Sequence, residues 1–127
     1  MSALPPEQAR AMRQAADLGS TARPAVTLAE RWEALHDQAN ELTRLAQLSP
    51  EPFAGVLAAF PAVMKSASEW QRNLADQGLD DIEAMMRPGL SALAILQERG
   101  AATNAPALAL WREFYTARGA VMEIATR

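Results

Sequence analysis

Apolar residues recur along most of this chain at alternating steps of four and three. Leu28, Trp32, Leu35, Ala39, Leu42 and Ala46 follow one another in that rhythm, which lines side chains along one face of an α-helix. Glu33, Asp37, Asn40, Glu41 and Arg44 fall on the opposite face and are expected in solvent. Thr27, with Glu30 three residues later, has the spacing of a capping box, in which each side chain accepts a hydrogen bond from the other's backbone. The predicted helix begins there. Near the other end of the chain, Leu110, Phe114, Ala117, Val121 and Ile124 repeat the rhythm. Thr103 or Asn104 caps that helix, with Pro106 in its first turn, where a missing N–H costs little.

Two more helices are predicted between these. Ser49 is a candidate N-cap, Pro50 and Pro52 suit a first turn, and the stripe Phe53, Leu57, Phe60, Met64, Ala67, Leu74 runs on to a stop at Gly78. Asp80 with Glu83 repeats the capping-box spacing. Ile82, Met86, Gly89, Leu93 and Leu96 then mark a buried stripe that closes at Gly100. Pro61 and Pro88 lie inside these two helices and should bend them, because proline removes a helical hydrogen bond and crowds the preceding turn. A shorter helix opens the chain. It has Pro5 and Pro6 in its first turn and a weak face of Leu4, Met12, Ala15 and Leu18, and it is followed by the linker-like stretch Gly19 to Val26.

No strand-length alternation occurs, and the connections between the later helices are short, which predicts antiparallel neighbours. The expected fold is all-α: an up-down-up-down four-helix bundle with an additional short N-terminal helix, its third and fourth helices kinked at Pro61 and Pro88. One domain is expected over 1–127, with 1–26 as N-terminal helix and linker and 27–127 as the bundle core.

Composition supports that picture and closes off several chemistries. Half of the 127 residues are hydrophobic and 6% are aromatic. A chain of this length buries roughly two thirds of its unfolded surface, enough for a core without covalent staples. There is no cysteine, which removes disulfides, thiolate zinc sites, iron–sulfur clusters and thiol catalysis, and fits a reducing compartment. Twelve lysines and arginines stand against fifteen acidic residues, for a net charge of −3. The arginines are scattered singly and form no phosphate-binding footprint, so nucleic acid is not an expected partner. Met1 to Arg13 does not read as a signal peptide. The longest uncharged apolar stretch, Phe53 to Met64, is too short to cross a bilayer. The expectation is a cytoplasmic protein with no transmembrane segment.

Candidate chemistry is sparse. Glu33-Ala34-Leu35-His36 has the Glu-x-x-His spacing of di-iron carboxylate bundles, but those need the motif twice, and His36 is the single histidine. It is expected to be an interhelix or surface residue. The hydroxyl residues sit mostly at caps and turns. Asp80 and Asp81 suit a helix first turn, and the six glycines are spread singly with no phosphate loop. No enzyme activity, metal or cofactor is expected.

Two apolar regions stand out. In the up-down arrangement Trp32, His36, Trp70, Met85, Met86 and Met122 collect at one end of the bundle, where soft methionines and aromatics suit a small apolar or aromatic ligand or simply fill the core. At the other end Phe53–Val63, Leu90–Leu96 and Ala105–Trp111 are apolar nearly all round, which implies covered surface. The first helix is one cover. A second copy of the chain is the other and is preferred, with Phe53, Gly55, Val56, Ala59 and Val63 as its interface and small residues allowing close approach. In length and alanine-rich amphipathic character the chain resembles phasins, helical proteins that coat storage granules. That resemblance is of composition, without a shared motif, and it assigns no residue a role. The sequence thus reads as a non-enzymatic helical-bundle protein that acts through protein–protein contact, chiefly self-association as a homodimer. A carrier or sensor of a small apolar ligand is the alternative.

Overall fold

Thr27 and Glu30 form the capping box that their spacing predicts. The Thr27 hydroxyl accepts from the Glu30 N–H and the Glu30 carboxylate accepts from the Thr27 N–H, each at 3.0 Å. Helix α1 (Leu28–Leu45) starts there. The computed structural model describes residues 27–127, so the short helix and linker expected over 1–26 lie outside the described residues. Three helices follow: α2 (Val56–Lys65), α3 (Glu69–Glu98) and α4 (Asn104–Glu123), with a 3-10 turn at Ile124–Thr126. The described residues are all helix, turn and loop, with no strand among them.

The helices predicted from Leu28 and from Asn104 occur where their rhythm places them. The inward face of α1 buries Trp32, Leu35, Ala39 and Leu42, and that of α4 buries Phe114 and Val121. The middle of the chain differs from expectation. Pro50 and Pro52 are not in a first turn, because α2 starts only at Val56, after Gly55 with φ of 63°. Proline disfavours helical backbone at the residue before it. Two such steps in succession hold Ser49 and Glu51 out of the helix. The predicted single helix up to Gly78 also divides at Ser66–Ser68. Ser68 and Gln71 build a capping box of their own, with the Gln71 side-chain oxygen Oε1 accepting from the Ser68 N–H at 3.0 Å, and α3 begins at Glu69.

Gly78 does not stop α3, which is 30 residues long in all, about 45 Å at 1.5 Å per residue. A Cβ on Gly78 would lie 2.5 Å from Cγ2 of Val121, and one on Gly89 would lie 2.5 Å from Cδ2 of Leu110. Both glycines admit α4 to close range. Asp80 and Glu83 therefore lie in the interior of α3 and cap nothing. They bind Arg31 of α1 instead, at 2.7 Å and 2.9 Å, with Asp76 at 3.2 Å. Pro61 lies inside α2 and Pro88 inside α3.

The residue pairs that meet give the packing. Gly78 faces Val121 and Gly89 faces Leu110, while the Gln71 side-chain amide donates to the Ile124 and Arg127 carbonyls at 2.9 Å and 3.1 Å. Numbers rise along α3 as they fall along α4, so this pair is antiparallel. Trp32 packs on Phe60, with ring centroids 4.5 Å apart. One buried core joins residues of all four helices, including Trp32, Met64, Met86 and Phe114.

Pro61 leaves a mark on that core. Having no N–H, it cannot donate to the carbonyl four residues back, Leu57. The indole N–H of the fully buried Trp32 donates to that carbonyl at 2.6 Å. A proline in α2 thus frees the acceptor that a tryptophan in α1 requires.

Candidate functional site

Two features stand apart from ordinary core packing: a buried polar cluster under residues 46–55, and an open apolar groove between α2 and the end of α4.

The polar cluster centres on His36, which is 6% exposed. Its Nδ1–H donates to the Trp32 carbonyl at 2.8 Å in the neutral tautomer that this geometry favours, and Nε2 has no hydrogen-bond partner among the described residues. The ring stands against Trp32 at 4.8 Å, Phe53 at 5.1 Å and, edge-on, Phe114 at 5.7 Å. Burial pushes the imidazole pKa below its ordinary 6.5. The nearby Arg118 adds to that direction, while the Trp32 carbonyl, Glu51 and Asp37 oppose it. His36 is therefore neutral at neutral pH.

Arg118 comes from α4 and is itself buried, its side chain 5% exposed. Its guanidinium donates to both oxygens of Glu51, at 2.8 Å and 3.3 Å. It lies 5.3 Å from the Phe114 ring and 5.2 Å from that of Tyr115, distances at which a desolvated cation gains from ring faces. Glu51 and Phe53 belong to the segment joining α1 to α2, so that segment closes over the cluster with one carboxylate and one ring. Among the described residues, no group of three or more His, Asp or Glu side chains is placed to hold a metal ion. Nearer the start of α1, the Arg31 guanidinium donates to the Glu83 carboxylate, which holds it above its ordinary pKa.

The apolar groove has a volume of about 430 Å³ and is lined by Val56, Ala59, Phe60, Val63, Gly119 and Met122, with Glu123, Ala125 and Thr126 at the turn beyond. Val56 is 73% exposed and Val63 48%. No helix among the described residues is long and apolar enough to cross a membrane.

The sequence-derived candidates are redistributed by these positions. Of the ligand candidates, Trp32 and Met86 are fully buried, and His36 packs on Trp32. Trp70 stands 52% exposed on α3, Met85 is partly buried, and Met122 lines the groove. Of the interface candidates, Val56, Ala59 and Val63 line the same groove. Phe53 packs on His36, and Gly55 precedes α2 as its N-cap. Reading the sequence alone missed Glu51 and Arg118 as partners. The available signal was Arg118 four residues after Phe114, a charge on the seam of its helix.

No family model, no curated protein and no solved structure matches this chain.

Proposed function

We propose that this chain is a non-enzymatic helical protein acting through protein–protein contact, and that it pairs with a second copy of itself through α2 and the end of α4. The observation that carries this is the groove with its two protruding valines. Val56 and Val63 stand out beside a recess lined by Ala59, Gly119 and Met122. Knob and recess on one surface suit a two-fold contact, in which the same patch serves both partners. Gly119 supports the reading. It lies inside α4, where glycine costs about 1 kcal/mol relative to alanine, yet a Cβ there would meet nothing within 4 Å. Packing among the described residues gives no reason for it, whereas a second helix approaching the groove would.

The same reading has the four helices alternate in direction as an up-down-up-down bundle, with bends at Pro61 and Pro88. Its support is the antiparallel pairing of α3 with α4 and the short turns at Ser66–Ser68 and Arg99–Thr103. A small apolar ligand in the groove is the second reading, favoured by Met122 in its lining and by a volume within the usual range of ligand pockets, about 300–1,000 Å³.

Sedimentation velocity at micromolar concentration tests the pairing. A dimer is expected for the natural chain, and a folded monomer for the double variant Val56→Glu, Val63→Glu. A natural chain that sediments as a monomer would overturn self-association.

A further inference from the structure

Residues 46–55 pass from α1 to α2 without helix, and two side chains hold them against the core. Glu51 pairs with the buried guanidinium of Arg118, and Phe53 packs on the buried ring of His36. Both attachments meet around one titratable group. A proton on His36 Nε2 would create an N–H with no acceptor among the described residues. It would also add a second cation to a region that already holds Arg118.

Arg118 of α4 disfavours the proton, while Glu51 of the segment and Asp37 of α1 favour it. The one charged residue of α2 is Lys65, at its last position, near Thr27 and Leu28. The α3 carboxylates that face α1, those of Asp76, Asp80 and Glu83, are engaged by Arg31. Asp37 is exposed on the solvent face of α1. Glu51 is therefore the carboxylate within the cluster that can answer a new charge on His36, and it is already bound.

We propose that residues 46–55 form a pH-sensitive latch: protonation of His36 competes with Arg118 for Glu51, expels Phe53 from the imidazole face, and releases the segment while α1, α3 and α4 stay packed. The direction follows from the buried ring. In the closed state His36 takes up its proton below the ordinary 6.5. In the open state, with the ring solvated, it does so near 6.5. The latch is fully closed above that value and loosens as pH falls through it toward the closed-state value.

Because His36 is the single histidine, one imidazole resonance reports it. Nuclear magnetic resonance of the whole chain, from about pH 8 to about pH 5, would follow that resonance together with the backbone amides of 46–55 and 105–121. Imidazole and segment should titrate together with a midpoint below 6.5, while the α4 amides keep their positions. In His36→Phe the segment should stop responding over the same range. An imidazole midpoint at or above 6.5 would sink the latch. So would a segment that ignores the titration, α4 signals lost along with it, or an unchanged response in His36→Phe. If His36→Phe does not fold, Glu51→Gln gives a separate reading. Its segment amides at neutral pH should take the positions that the natural chain reaches in acid, and amides left at their natural neutral positions would overturn the proposal.

Discussion

Gln47 and Gly100 occupy the same structural position at two helix ends. Each has a left-handed backbone, with φ of 63° and 72°. Each is followed by a residue whose N–H reaches back five positions, Leu48 to the Thr43 carbonyl and Ala101 to the Leu96 carbonyl. This is the Schellman arrangement, in which glycine is the usual residue because a side chain strains that backbone by about 1 kcal/mol or more. Gln47 bears the strain and Gly100 does not. Gln47→Gly should therefore raise stability by about 0.5–1 kcal/mol, and Gly100→Ala should lower it by about 1 kcal/mol, both read from urea midpoints. The Glu51–Arg118 pair makes a second residue-scale prediction. Arg118 is 5% exposed and Glu51 35%, so the cation is the member that cannot return to water. Glu51→Gln should cost about 3 kcal/mol. Arg118→Met, which leaves a carboxylate free to turn outward, should cost clearly less. Equal losses in urea denaturation would contradict this account.

At the scale of elements, the sequence predicts a stop at Gly78, whereas its work within α3, like that of Gly89, is to let α4 come close. Gly78→Ala gains about 1 kcal/mol of helix propensity. It drives a methyl group into Val121, a buried β-branched side chain with little rotamer freedom, at a cost of about 1–3 kcal/mol. A net loss is expected there. Gly89→Ala meets the end of a more adaptable, partly buried leucine, Leu110, and should be close to neutral in thermal melts. This contrast explains what the sequence made legible. Periodicity located α1 and α4, since both bury a regular stripe and are flanked by local signals. It misplaced the ends of α2 and α3. The paired prolines act on the residues before them. The Ser68–Gln71 box was overlooked inside an apparently continuous stripe, and Asp80 and Glu83 carry the spacing of a cap while serving Arg31 across the interface. Of the candidate sites, Val56, Ala59 and Val63 were legible as apolar residues on an all-round apolar helix. The cluster of His36, Glu51 and Arg118 was not, because its members are 15 and 67 positions apart and only the packed helices bring them together.

At the scale of the whole molecule, the open groove and the latched segment are neighbours along the chain. Residues 46–55 end where α2 begins, and Val56 at that junction is the most exposed of the large apolar side chains among the described residues. If α2 pairs with a second copy, dimer formation should hold the first turn of α2 and steady the segment before it. Acidification from pH 7.5 to about 5.5 should then raise the dimer dissociation constant of the natural chain, and have little effect in His36→Phe. Sedimentation equilibrium at the two pH values measures both.

The bond from Trp32 to the Leu57 carbonyl also constrains how this sequence can change over time. With Pro61 present, losing the indole leaves a buried carbonyl without a donor. With alanine at 61, a backbone N–H satisfies that carbonyl in its place. Trp32→Phe should accordingly be less costly in a Pro61→Ala background, by about 1 kcal/mol, in a double-mutant cycle. Substitutions at the two sites are then not interchangeable in order. A lineage that first replaced the proline could afterwards drift at Trp32, whereas one that began with the tryptophan would pass through a less stable intermediate.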